Sequence, residues 1–174
     1  MKYSMRGNVD PFIVMDVMEN ARKAEEGGRK IIHMEVGQPS TAAPSDALER
    51  TSQIIKSNPL GYTVALGLPE LRKKISDLYG RWYNLDLDPS RVIITSGSSG
   101  AFILSFTALF EEGARVGIGA PGYPSYRQIL KSLGISPVDI MTNFENKFQP
   151  TAKDVVSQNL DGLLVASPSN PTGT

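Results

Sequence analysis

Residues 91–120 read RVIITSGSSGAFILSFTALFEEGARVGIGA, and this stretch decides the fold. Val92-Ile93-Ile94-Thr95 is a β-branched run and predicts a buried strand. Ser96-Gly-Ser-Ser-Gly100 supplies a turn, and Ala101–Phe110 is apolar nearly all round, the pattern of a covered helix. Val116–Ala120 then predicts a second strand. Towards the C-terminus the alternation continues. Tyr126, Ile129, Leu130 and Leu133 mark an amphipathic helix stopped at Gly134. Val138–Met141 is a third strand, Thr151–Asp154 has the spacing of a capping box for a short helix over 152–158, and Leu163–Ala166 is a fourth strand. Strands alternating with helices predict an α/β fold with a mostly parallel sheet and flanking helices.

Towards the N-terminus the pattern is helical. Val14, Val17, Met18 and Ala21 fall on one helical face, and Gly27-Gly28 ends it. Ile31–Val36 predicts a short strand, followed by the loop GQPSTAAP. A helix follows over about 45–57 and another from Pro69, whose missing N–H costs nothing in a first turn. Leu71, Ile75, Leu78 and Trp82 form the stripe of that last helix.

The composition narrows the function. The 174 residues include 18 basic and 18 acidic side chains, so zero net charge gives no electrostatic footprint for nucleic acid or an anionic membrane. The absence of Cys removes disulfides, iron–sulfur clusters and Cys-based zinc sites. The one histidine, His33, makes a His-based metal cluster or a Ser-His-Asp triad improbable, and it reads as a satisfied strand residue. No apolar run suffices to span a bilayer or to serve as a signal peptide, so a cytoplasmic location is expected.

Three segments carry chemistry. Ser96–Gly100 joins a predicted strand to a helix N-terminus, where free backbone N–H groups and the helix dipole suit a phosphate. Ser98 and Ser99 could add hydroxyl donors, although the same turn reads equally as a plain Ser-capped connection. Tyr123, held between Gly122 and Pro124 after a strand, could stack on a planar cofactor or simply begin a helix in the core. Ser167-Pro-Ser-Asn-Pro-Thr-Gly173 fixes its backbone with two prolines, places the amide of Asn170 after the last strand, and is a candidate for a cis peptide. Gly117, Gly119 and Gly122, with Asp139 downstream, spell a dinucleotide fingerprint. Pro121 inside it, and two glycines within the strand pattern, argue against that reading.

In order, VGQP (36–39), YTVALGLPELR (62–72), ITSGSSGA (94–101), APGYPSY (120–126) and SPSNPTG (167–173) resemble the class I/II aminotransferases, fold-type I enzymes that use pyridoxal 5′-phosphate (PLP). The resemblance covers nearly the whole chain. It implies an N-terminal segment over 1–45, containing a small-domain part and the substrate loop. It implies over 46–174 the N-terminal portion of the PLP-binding large domain. By resemblance Gly97, Ser98 and Ser99 cradle the phosphate, Tyr123 stacks on the pyridine ring, and Asn170 bonds its phenolic oxygen. Gly37 approaches the substrate carboxylate, and Tyr62 reaches the phosphate in a partner subunit, which implies a homodimer.

The family's later residues are expected beyond Thr174: an Asp for the pyridine nitrogen, the Lys that forms the Schiff base, and an Arg for the substrate carboxylate. None of the nine lysines here follows a Ser directly or at the third position, as that motif requires. The resemblance therefore implies the N-terminal part of an aminotransferase acting on an amino acid and a 2-oxo acid, with this stretch inactive alone. Alternatives are a PLP-dependent lyase or synthase of the same fold, a transcriptional regulator that borrows the domain, and a non-catalytic remnant. A regulator would need a DNA-binding domain ahead of Val36, where the sequence leaves no room. Because Val92–Thr95 would lack the sheet neighbours that the family supplies from later sequence, low stability of this stretch by itself is expected.

Overall fold

The computed structural model describes residues 3–174, which divide into two compact units. One takes the described residues up to Gly28 together with 96–174; the other takes 29–95.

The first unit holds the sheet. Three strands, β1 (Arg115–Ala120), β2 (Ser136–Met141) and β3 (Gly162–Leu164), pair in the order β2-β1-β3. β1 is central and parallel to both neighbours, with Ile118 opposite Asp139 on one side and Leu164 on the other. Its side chains explain the position. Val116 and Ile118 are buried, as a strand flanked on both edges and covered by helices requires.

The helices of this unit are α1 (Ile13–Glu26), α4 (Gly97–Leu109), α5 (Pro124–Ser132) and the single turn α6 (Ala152–Val156). Phe106 of α4 and Leu130 of α5 close over Val116 and Ile118, with Ile135 completing the cluster. Phe102, Phe110, Tyr126 and Leu164 pack around it. α6 is held at its start by Asp154, whose carboxylate accepts from the N–H of Thr151 at 2.8 Å and its hydroxyl at 2.7 Å. The capping box expected at this spacing is present, and the helix it starts ends at Val156, earlier than expected.

The second unit contains α2 (Ser45–Ser57) and α3 (Pro69–Tyr83), with Pro69 in the first turn of α3 as expected. Arg72 of α3 donates from Nε to the Val92 carbonyl and from Nη2 to the Pro89 carbonyl, both at 2.8 Å. The Ile94 N–H donates to the Leu66 carbonyl at 3.0 Å.

The structure corrects four expectations. Ile31–Val36 and Val92–Thr95 belong to no sheet. A β-branched run becomes a strand only when a partner backbone pairs with it. His33 is accordingly no strand residue: its ring is exposed, with Nδ1 2.7 Å from the Glu35 carboxylate. α4 is covered on one face only, leaving Ile103, Leu104 and Leu109 exposed.

Two outcomes follow. Leu130 is completely buried, so Leu130→Ala lowers stability by about 3 kcal/mol in denaturant unfolding. The Thr151 hydrogen bonds hold the Asp154 carboxyl below the usual carboxylate range. Its contribution is therefore full above the unfolded value, near pH 4, and fades as pH falls through the lower folded value. Comparing the pH dependence of unfolding in the parent chain and in Asp154→Asn isolates this contribution, which the variant lacks.

Candidate functional site

The site is built at the C-terminal ends of the strands. α4 runs antiparallel to β1, as its aromatic contacts show. Near its end, Phe110 packs on Gly162 at the start of β3. Near its beginning, Phe102 meets Tyr126 of α5 edge to face, with ring centroids 5.0 Å apart. Because α5 follows the C-terminal end of β1, the first turn of α4 lies towards that same end.

That turn is Gly97-Ser98-Ser99-Gly100, so the glycine-rich segment is the first turn of the helix and no separate loop. Gly97 takes a φ of 71°, a left-handed conformation that a residue without Cβ adopts at little cost. Ser96, the N-cap, makes no side-chain capping hydrogen bond, and the first turn carries no acidic residue. Ser98 and Ser99 are exposed. Backbone donors and the positive end of the dipole suit an anion at this turn, which itself carries no carboxylate.

Tyr123 is the N-cap of α5. Its half-buried ring has two aromatic neighbours. Phe12 stands edge to face with centroids 6.3 Å apart, and Tyr126 does the same at 5.3 Å. The chain reaches Tyr123 through Gly122, where an added Cβ would lie 2.4 Å from the Gly119 carbonyl oxygen. Glycine is required there by the close approach of two backbone segments, which the sequence alone did not reveal. Thr142 fixes the same end of β1, its N–H and hydroxyl both donating to the Ala120 carbonyl at 3.0 and 2.8 Å. A groove beside these residues is lined by Ile118, Gly119, Gly122, Tyr123 and Arg127.

Asn170 is exposed on the turn after β3, and both Ser167-Pro168 and Asn170-Pro171 are cis. The topology thus assigns Gly97, Ser98, Ser99, Tyr123 and Asn170 to the C-terminal end of the sheet. Their chemistry fits a phosphate, a flat ring and a ring hydroxyl, the three features of PLP. Gly37 and Tyr62 belong to the second unit. Gly37 is exposed with open space where a Cβ would stand, and the Tyr62 side chain is 110% exposed, as in a fully extended chain.

The dinucleotide reading finds no place in this arrangement. Gly117 and Gly119 are β1 residues, and a Cβ at Gly117 would meet Leu160, Ile140 and Leu163 at 3.0 Å or less. Asp139 is engaged by the Arg127 guanidinium. Among the described residues no cluster of His, Cys, Asp or Glu could hold a metal ion, and no helix is long and apolar enough to cross a membrane.

Comparison with known proteins bears on the family and the fold. The family described as aminotransferase class I and II matches residues 29–174. The valine–pyruvate aminotransferase of Mycobacterium tuberculosis is 42% identical over 175 residues, covering 99% of this chain and 45% of that protein. A solved structure from Silicibacter pomeroyi is 60% identical, with a TM-score of 0.88, over 100% of this chain and 44% of the other. An aminotransferase structure from Mycobacterium tuberculosis is 41% identical, with a TM-score of 0.92, over 98% and 45%. The chain therefore spans less than half the length of the proteins it matches.

The close approach at Gly122 yields a direct outcome. Gly122→Ala forces the 119–122 turn apart, lowers stability by about 1–3 kcal/mol, and alters the near-ultraviolet circular dichroism of the Tyr123–Tyr126 pair.

Proposed function

The chain belongs to the aminotransferase class I and II family, and on that premise we propose that it is the N-terminal part of a PLP-dependent aminotransferase. The whole protein moves an amino group between an amino acid and a 2-oxo acid. One observation carries the reading: a capless, acid-free helix N-terminus, an edge-packed tyrosine and an exposed amide share the C-terminal end of one parallel sheet.

Each residue has a physical role in this reading. The first turn of α4, with Gly97, Ser98 and Ser99, neutralises the phosphate with backbone N–H groups and hydroxyls. Tyr123 offers one ring face, kept in place by Phe12 and Tyr126 at its borders. Asn170 donates an amide hydrogen to the ring oxygen and holds that oxygen's charge. When bound, the cofactor supplies an electron sink for carbanion chemistry. Gly37 presents backbone, without side-chain obstruction, to the substrate carboxylate. The fully exposed ring of Tyr62 supports a place in the active site of a second subunit, so the working form is a homodimer. Residues 1–45 form the small-domain part and substrate loop, and 46–174 open the large domain. The protein works in the cytoplasm.

The test uses the full-length protein. With PLP, an amino acid donor and a 2-oxo acid acceptor, it exchanges amino groups by ping-pong kinetics. The double variant Ser98→Ala/Ser99→Ala binds PLP about 10- to 100-fold more weakly, since two hydrogen bonds to a charged group are lost. Absence of any transamination, with PLP affinity insensitive to both serines, would overturn the reading.

A further inference from the structure

We propose that Gln149 is a positioning residue for Asn170: its side-chain amide ties together both ends of the loop that carries Asn170. The inference rests on the reading of Asn170 as a cofactor ligand. Gln149 Nε2 donates to the Ala166 carbonyl at 3.0 Å and to the main-chain oxygen of Thr174, the last residue of the sequence, at 2.7 Å. Ala166 precedes the Ser167–Gly173 loop and Thr174 follows it. A primary amide has two N–H donors, and both are used here.

The loop is closed from within as well. The Ser169 N–H donates to the Thr174 carbonyl and the Gly173 N–H to the Ser169 carbonyl, each at 2.7 Å. Gln149 thus reaches the point on which the closing hydrogen bonds already converge. Asn170 itself stays exposed in the span between them.

The segment before Gln149 is shaped to present it. Phe148 N–H donates to the Asn143 carbonyl at 2.8 Å, Gln149 N–H to the Asn146 carbonyl at 3.0 Å, and Asn146 N–H to Asn143 Oδ1 at 3.1 Å. Lys147 and Phe148 both take left-handed backbone, with φ of 52° and 55°, which non-glycine residues seldom adopt. The Thr174 hydroxyl returns the contact by donating to the Lys147 carbonyl at 2.5 Å. Gln149 and Ser169 also line one groove with Gly119, Pro121 and Ala166 at the strand ends.

Two consequences distinguish positioning from general support. Losing the clamp loosens the loop whether or not PLP is bound, and its effect on PLP runs through Asn170. The experiment is a double-mutant cycle in the full-length protein, with Gln149→Met removing both donors at similar volume. Asn170→Ala and Gln149→Met each weaken PLP binding about tenfold, and the double variant is no weaker than Asn170→Ala alone. Amide hydrogen exchange at Ser169 and Gly173 accelerates in Gln149→Met even without PLP. Gln149→Lys, which keeps N–H donors at comparable reach, restores both readouts towards the parent protein and serves as the deciding variant should Gln149→Met fail to fold.

Additive losses in the cycle, unchanged exchange at Ser169 and Gly173, or a folded Gln149→Lys protein without restored binding would overturn the positioning role alone. PLP affinity unaffected by Asn170→Ala would instead overturn the cofactor reading, and the positioning role with it.

Discussion

The parallel pairing of β1 with both its neighbours is the constraint on which the rest depends. A central strand must bury both faces and can leave its chain only at its ends. Val116 and Ile118 meet that demand on one face by packing under Phe106 and Leu130, and Gly117, close against Ile140, Leu160 and Leu163, meets it on the other. The demand also orients α4 and α5. Each helix crosses back over the sheet, so their N-terminal turns gather at the edge where the strands finish. A phosphate-sized anion, a flat ring and a ring hydroxyl can be met there by groups that the fold has already brought to one edge. The chemistry of the site is a consequence of strand direction before it is a consequence of any single side chain.

Most of the helices were legible because their signals are local. The period of apolar residues, Pro69 at a helix start and the Thr151–Asp154 pair each act within a turn or two of their own position. The three strands of the sheet were legible for a different reason: each finds its partner within this chain. Ile31–Val36 and Val92–Thr95 carry the same residue types and join no strand of the sheet. A strand is a relation between two segments, and one of the segments is not visible in a local pattern. The exposure of Ile93, Ile103 and Leu104 has the same origin, since apolar residue type announces a wish for burial and not the surface that grants it.

The candidate site divides along the same line. Gly97, Ser98, Ser99, Tyr123 and Asn170 could be picked out because each sits in a short motif that follows a strand or an expected strand. The residues that hold them could not. Phe12 touches the Tyr123 ring from far along the chain, and Gly122 is needed only because Gly119 folds back beneath it. Gln149 is separated from its two acceptors by 17 and 25 residues. A sequence motif marks the group that would meet a ligand, and the folded chain is needed to find the group that aims it.

In the proposed reading the first turn of α4 is a phosphate cup. The most direct measurement compares the affinity of the full-length protein for PLP and for pyridoxal, which has the same ring without the phosphate. With a phosphate cup, PLP binds at least about a hundredfold more tightly, the value of two or more charge-assisted hydrogen bonds. This ratio collapses in Ser98→Ala/Ser99→Ala. Equal affinities for the two compounds, or a ratio untouched by the serine substitutions, would contradict that reading.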